Sequence, residues 1–345
     1  MRRHTATSLA RRGRTARAAG GCKRGCKRPG HRGATCRGER HAAGIIENAA
    51  CADVRSLFVL TSIAFLAAAG APAATRLPFV WTPGQIELAV RVNGASATFL
   101  LDTGSEFSVV SSRLAGQLGL QTSREHGRDF AEDVEIDVRE VKLLHQRVMV
   151  MPFETYYARG RAIDGLIGYD LFSRFTVSID FRGRALTVWE PAAFRAPKGV
   201  VSVPITFAGR LPVVDAVLAL SDRVKWPLQL AVDTGASQGI ILRYRFANAH
   251  GLLDVAGQKE TTAPSLANGE LRLLEVPIEQ VKLAAWTFDR PSVLAHAEPR
   301  GSGADAAADG LIGNTLLSRF TLFVDYPRKR LLLQPAQINR SSRDP

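Results

Sequence analysis

"LLDTGSEFSVV", Leu100–Val110, sets an acidic turn triplet, Asp102-Thr103-Gly104, directly behind an apolar, strand-like run. Alone, the triplet reads as a turn, because Asp accepts hydrogen bonds from amides two residues on and Gly tolerates positive φ. It is not alone. "AVDTGASQGII", Ala231–Ile241, repeats it at an offset of 131. Downstream, "LAGQLGL" (Leu114–Leu120) matches "FANAHGL" (Phe246–Leu252) at an offset of 132, each a short helical segment ending on Gly119 or Gly251. "DGLIGYDLFSRFTVSIDFRGRALTV" (Asp164–Val188) then matches "DGLIGNTLLSRFTLFVDYPRKRLLL" (Asp309–Leu333) at an offset of 145. The blocks come in the same order in both halves, so the chain contains a duplication.

Each half reads as β-rich. "QIELAVRV", "TFLLD", "RVMVM" and "TVSID…RALTV" are short alternating or β-branched runs, with hairpin turns expected at Arg182-Gly183 and Pro327-Arg328. No helix-length amphipathic stretch alternates with them, which argues against a βαβ fold. The expectation is an all-β, bilobal molecule with pseudo-twofold symmetry and few short helices. Its lobes span 76–190 and 205–336, with 191–204 as linker and 337–345 as a polar tail. The extra residues of the second half fit a surface loop at Ala295–Asp309.

The net charge of +13 suggests nucleic acid until it is located. Residues 1–55 hold 14 of 45 Lys and Arg and 3 of 32 acids, or +11, leaving 31 minus 29, or +2, for the rest. The basic stretch 1–55 is a low-complexity leader, and no nucleic-acid partner is expected for the folded part. All four cysteines, Cys22, Cys26, Cys36 and Cys51, lie in the leader at spacings that fit no paired zinc pattern, so neither a disulfide nor a cysteine nucleophile is expected in the lobes. Residues 56–74 read as a signal peptide: the apolar run 57–69 follows Arg55 and precedes Ala71-Pro72-Ala73. An uncleaved membrane anchor is the alternative, against which the run is short of the roughly 20 apolar residues of a span. Translation starting near Val54 would make 54–74 an ordinary signal, and a precursor peptide mapped upstream of Val54 would refute that.

A given tripeptide occurs in a chain this long at on the order of a few per cent by chance. Two copies in matching contexts of a duplication call for chemistry. Peptide hydrolysis by water needs a base to deprotonate the water and an acid for the carbonyl oxygen and the leaving amine. Two carboxylates forced to share one proton divide those roles, and a pseudo-twofold pair of lobes brings Asp102 and Asp233 together on its axis. Gly104 and Gly235 permit the tight turn, while the hydroxyls of Thr103 and Thr234 are placed to bond across the axis.

On these residues the sequence resembles the aspartic peptidases of the pepsin and retropepsin type. Asp102-Thr103-Gly104-Ser105 and Asp233-Thr234-Gly235-Ala236 meet the D-T-G-[AS] motif. Leu166-Ile167-Gly168 and Leu311-Ile312-Gly313 match the second signature, which threads under the active-site loop. The "DGLIGYDLFSRFTVSIDF" arrangement looks like the bacterial retropepsin-like aspartyl proteases, here as two lobes in one chain, over roughly Leu77–Pro335. The resemblance implies a bilobal acid-protease barrel, a catalytic Asp102/Asp233 pair, a protein or peptide substrate, and no cofactor or metal. Gly127–Glu140 and Ser265–Glu275 are the flap candidates by position and polarity. Tyr156 and Tyr157, the only tyrosines before the first LIG signature, sit in no obvious hairpin. Glu106 stands where retropepsins carry an acidic contact to substrate backbone, whereas Ser237 fills that place in the second lobe.

Gly235-Ala236-Ser237-Gln238-Gly239 also fits the G-x-S-x-G elbow of serine hydrolases, with His250 and His296 downstream, but that elbow needs a parallel sheet and a strand-to-helix turn. His126, His145, His250 and His296 read as surface or capping residues. Asp164 and Asp309, before each LIG signature, read as structural turn residues, and Asp180 and Asp325 as strand ends. Arg174 and Arg319 either pair with those acids or face solvent. The rival from another class is a non-catalytic envelope module that keeps the fold for peptide binding or assembly. The reading adopted is an exported, periplasmic or membrane-anchored aspartic endopeptidase, monomeric rather than dimeric.

Overall fold

Alternation fixes the faces of the first long strand. Gln85–Val92 buries Ile86, Leu88, Val90 and Val92 and exposes Ala89 and Arg91, as a strand with one face on a core must. Its neighbour Ala95–Leu101 ends instead in three consecutive buried residues, Phe99, Leu100 and Leu101, which places Asp102 at the end of a strand covered on both faces. The computed structural model describes residues 74–82, 84–153, 157–158, 161–254, 258–265, 269–299 and 308–336. The leader, its cysteines, the apolar run 57–69, Tyr156 and the tail 337–345 lie outside them. Among the described residues no helix is long and apolar enough to cross a membrane.

Three sheets carry the fold, which is all-β with four short helices among the described residues. Strands between Val80 and Ile167 form an eight-stranded sheet, closed on itself where Gln85–Val92 pairs with Arg128–Val138. Strands between Thr206 and Ile312 form a ten-stranded sheet in the other half. Both halves share one crossing. Strand Gly165–Ile167 lies between Ala95–Leu101, to which it is parallel, and Val109–Ser111, to which it is antiparallel. Gly310–Ile312 sits in the same way between Lys225–Val232 and Ile240–Leu242. Each Asp-Thr-Gly loop therefore leaves one side of an inserted strand and returns on the other. The inserted strand starts with glycine because the backbone beside it is too close for a side chain. A Cβ on Gly165 would lie 2.2 Å from the Val109 carbonyl oxygen, and one on Gly310 would lie 2.7 Å from that of Ile241.

The six-stranded third sheet joins the halves in the order Ala74–Pro78, Ala185–Trp189, Thr176–Asp180, Phe320–Asp325, Arg330–Pro335, Val201–Pro204. At its centre Ser178 faces Phe323. Since 323 − 178 = 145 is the offset of the repeat, a residue meets its own duplicate there, and the pseudo-twofold axis passes through that pair. The order also refines the expected linker, 191–204: its last four residues are an edge strand of the second half, the counterpart of Ala74–Pro78. One contiguous apolar core runs through both halves, from Leu77 to Leu333.

The helical segment expected at Leu114–Leu120 is the helix Ser112–Gln117, whose first turn is capped by the Ser111 hydroxyl accepting from the Leu114 amide at 3.1 Å. Gly119 and Gly251 follow the matched helices with φ of 62° and 66°, the left-handed conformation that stops a helix. Of the flap candidates, Gly127–Glu140 covers one arm of a hairpin, Thr122–Glu125 with Arg128–Val138, whose tip is His126-Gly127. Ser265–Glu275 overlaps the hairpin of Glu260–Ser265 with Gly269–Glu275, whose tip lies outside the described residues, as do residues 300–307 of the expected Ala295–Asp309 loop. Tyr157 pairs with Ala162 in a two-stranded ribbon.

The duplicated strand ends diverge. Asp180 is the turn residue expected, its carboxylate accepting the Gly183 amide at 2.9 Å. Asp325 is instead fully buried, and accepts from the Thr176 hydroxyl at 3.0 Å, from Arg328 at 3.2 Å and from Arg330 at 2.8 Å. Arg174 and Arg319 lie over the rings of Phe175 and Phe288. Asp325 is the buried member of this cluster while Arg328 and Arg330 reach toward solvent, and its loss leaves the fully buried Thr176 hydroxyl without its acceptor and both arginines without their partner. Asp325→Ala is expected to lower unfolding free energy by about 3 kcal/mol in a denaturant titration, whereas Asp180→Ala costs less than about 1 kcal/mol.

Candidate active site

The two loops interlock through their threonines. The Thr103 amide donates to the Thr234 hydroxyl oxygen at 3.0 Å, and the Thr234 amide donates to that of Thr103 at 3.0 Å. The Thr103 hydroxyl in turn donates to the Val232 carbonyl at 2.7 Å, and that of Thr234 to the Leu101 carbonyl at 3.0 Å. Both threonines are buried, and the four bonds pass from one half to the other in symmetric pairs. Asp102 and Asp233 hang from the same strand ends, their amides bonded to Ile167 and Ile312 of the inserted strands at 2.9 and 3.0 Å.

This lock brings the carboxyls together. A Cβ on Gly104 would lie 2.6 Å from the carboxyl carbon of Asp233, and one on Gly235 would lie 2.6 Å from that of Asp102. Each triplet thus needs glycine so that its backbone can press against the aspartate of the other half. Each aspartate also turns on its own loop, Asp102 accepting the Gly104 amide at 2.7 Å and Asp233 accepting those of Gly235 and Ala236 at 2.8 and 3.0 Å. Burial pushes the Asp102 carboxyl well above the usual carboxylate range, the charge of Asp233 pushes it further, and the Gly104 amide pulls it back. Asp233 is also raised by burial, against the hydrogen bond with Asp102, the two amides and the positive charge of Arg243. Both carboxyls are thus shifted toward keeping a proton at a pH where a free carboxyl has lost it.

The remaining motif residues form the floor of the loops. Leu166, Ile167, Leu311 and Ile312 are buried. Gly168 and Gly313 run so close beneath the loops that a Cβ would lie 2.7 Å from the Ser105 carbonyl oxygen and 2.8 Å from that of Ala236. Those two carbonyls accept the amides of Tyr169 and Asn314, the residues after each LIG signature. The Ser105 hydroxyl bonds within its loop, to the Phe107 carbonyl at 2.7 Å. Asp164 and Asp309 have the expected structural role, accepting the amides of Thr98 at 2.8 Å and Gln229 at 2.9 Å.

Several contacts had no signal in the motifs. A glycine turn of each half reaches the loop of the other at matching positions: Gly84 packs on Ser237 and Gly209 on Glu106. The Glu106 carboxylate accepts the Arg210 amide at 3.2 Å, while the Arg210 guanidinium donates to the Glu106 carbonyl at 3.3 Å. Glu106 is thus engaged in a contact between halves. Arg210 also stacks 4.5 Å over Phe107, whose ring meets Phe130 of the first hairpin edge-on at 5.2 Å. Fully buried Asn314 donates to the carbonyls of Gly84 and Thr234 at 2.7 and 2.6 Å. Buried Tyr326 donates its hydroxyl to the Thr103 carbonyl at 3.3 Å.

The other candidates are not brought to this site. Ser237 leads into strand Ile240–Leu242 rather than a helix, so the serine elbow is absent. His126 sits at a hairpin tip, His145 beside Asp133, and His250 against the rings of Trp226 and Phe246 at the end of a helix. His296, expected near the surface, is buried in strand Val293–His296 because that strand lies inside the second sheet. Among the described residues no group of three His, Cys, Asp or Glu is placed to hold a metal ion.

Residues 88–171, which include Asp102 and Leu166-Ile167-Gly168, match a family model described as aspartyl protease. No curated protein matches the chain. Among solved structures, the aspartic proteinase from Irpex lacteus is similar with 12% identity and a TM-score of 0.45, over 79% of this chain and 100% of that one. Residues 88–171 are thus aspartyl-protease-like in sequence, and the described residues have an all-β fold.

Two outcomes are expected at this site. Thr103→Val orphans the Val232 carbonyl and the Thr234 amide, at roughly 1–3 kcal/mol each. It should therefore unfold several degrees below wild type in a thermal scan, while Thr103→Ser stays close. The second concerns pH. A carboxyl raised in the folded state holds a proton that the unfolded chain releases, so stability falls as pH rises from the ordinary range through the raised one. Asp102→Asn removes that penalty. Its melting temperature should exceed that of wild type at neutral pH, and the gap should close as pH drops below the ordinary carboxylate range.

Proposed function

We propose that the protein is an aspartic endopeptidase that hydrolyses peptide bonds with water activated by Asp102 and Asp233. The observation that supports this most is the reciprocal lock, in which buried threonines and closely packed glycines hold the two carboxyls close together. A module that only binds peptides has no physical need for converging carboxyls whose burial costs stability.

In the reading adopted, the ionised carboxylate takes a proton from water as its oxygen attacks the scissile carbonyl carbon. The protonated carboxyl meanwhile gives its proton to the carbonyl oxygen, producing a tetrahedral gem-diol. The C–N bond then breaks as the first carboxyl passes its proton to the leaving nitrogen, and the second recovers one from a gem-diol hydroxyl. The pair returns to its starting state, and water rather than a side chain is the nucleophile. The two carboxyls titrate as a unit, so activity extends over the pH range in which one proton is shared.

The substrate is a protein or peptide in extended form, and the chain acts alone as two lobes. Export belongs to the same proposal. Cleavage after Ala73 would leave Ala74, the first residue of the edge strand Ala74–Pro78, at the new amino terminus.

The test is digestion of a peptide library by the full chain from acidic to neutral pH, beside Asp102→Asn, Asp233→Asn and the double variant. Wild type is expected to cleave. Each single variant should lose on the order of a thousandfold or more in kcat/KM, and the double no more than either single, since the two residues act as one unit. A folded wild type that binds peptides without cleaving them at any pH would replace this reading with the binding module.

A further inference from the structure

The duplication is broken beneath the aspartates. Tyr326 follows Asp325 in the second half, and the matching residue of the first half, at the offset of 145, is Phe181. Phe181 has no hydroxyl and packs its ring edge-on to Trp81 at 5.2 Å. Tyr326 is 5% exposed and directs its hydroxyl to the carbonyl of Thr103, inside the first triplet, at 3.3 Å. Its ring is held by Phe207 at 5.0 Å, Phe172 at 5.4 Å and Tyr169 at 6.0 Å. Phe207 comes from the second half, and Tyr169 and Phe172 from the first.

We propose that Tyr326 is a positioning residue for the aspartate pair: through the Thr103 carbonyl its hydroxyl anchors the Asp102 loop from below, while the matching Thr234 carbonyl of the Asp233 loop is held by the Asn314 amide instead. A carboxyl pair shares a proton only while its members stay within hydrogen-bond reach, so a loop free to shift weakens the sharing. The threonine lock fixes the loops to each other. The Tyr326 hydroxyl ties one of them to the aromatic floor, in the way that supporting groups hold a reactive pair in place. Burial, with the charges of Asp102 and Asp233, pushes the phenol well above its ordinary range, so it remains a donor wherever the pair titrates. The titratable and charged groups around this arrangement are Asp102, Asp233 and Tyr169, with Arg210 over the Tyr169 ring and Arg243 acting on Asp233.

The kinetic arm of the test rests on the endopeptidase reading; the stability arm does not. Tyr326→Phe removes one oxygen and keeps the ring. Its kcat is expected to fall about tenfold with KM within twofold, and the high-pH limb of its activity profile to move toward acid as the carboxyls separate and release their proton earlier. Phe207→Leu removes a ring contact but leaves the hydroxyl, and should lower the melting temperature with the limb in place. In melting temperature against pH, wild type should lose stability above the ordinary carboxylate range and Tyr326→Phe should lose less. Wild-type kcat and limb in Tyr326→Phe, or an equal limb shift in Phe207→Leu, would overturn the proposal. If wild type cleaves nothing, the endopeptidase reading fails separately and the stability curves still decide: a flatter curve for Tyr326→Phe supports the anchor, and a parallel one refutes it.

Discussion

Four hydrogen bonds between Thr103 and Thr234, with the carbonyls behind them, are the constraint on which the rest of the structure depends. Each satisfies a backbone donor or acceptor at the buried threonines, so parting the loops would leave unmet polar groups on both sides. With them locked, the carboxyls converge, the glycines must lack side chains, and the inserted strands must pass close beneath. The six-stranded sheet on the same axis repeats this symmetry in the backbone, with Ser178 opposite its own duplicate, Phe323.

Symmetry holds where the geometry demands it and relaxes elsewhere. Both halves keep Asp-Thr-Gly, the inserted strand and the Asp before Gly-Leu-Ile-Gly, because each does the same backbone work twice. The positions around them have diverged: Tyr169 against Asn314, Phe181 against Tyr326, Ser111 against Arg243 as the residue before the helix, and Glu106 against Ser237. The result is two chemically unlike surroundings for two identical carboxyls, with an extra amide and an arginine on the Asp233 side. A duplication within one chain permits this, since each copy can change alone, whereas two identical chains would change together.

The same arrangement works against stability. Holding the pair partly out of water and close together raises Asp102 well above its ordinary range, so the folded state is less stable at neutral pH than it would be with a neutral side chain there. Strain of this kind persists only where surrounding structure outweighs it. Here the shared sheet and the contiguous core of both halves do so.

Much was legible in the sequence, for a physical reason. Strand periodicity, turn glycines and a repeated motif are local properties that each segment carries wherever it lies, so the duplication, the β architecture, both aspartates and the structural roles of Asp164 and Asp309 follow from the chain alone. Tyr326, Asn314 and Arg210 left no such signal, because each acts on a backbone group roughly 80 to 230 residues away and nothing in its own segment marks the partner. The burial of Asp325 is hidden for the same reason: a strand-end acid looks alike whether it faces solvent or turns inward to a buried threonine and the arginines beyond the turn. The contact of Glu106 with Gly209 and Arg210 of the other half is likewise invisible in its own segment. Sequence determined which residues recur and what chemistry they carry. Only the tertiary structure decided which remote side chains close around them, because burial and hydrogen-bond partnership belong to the packed halves and not to any stretch of chain.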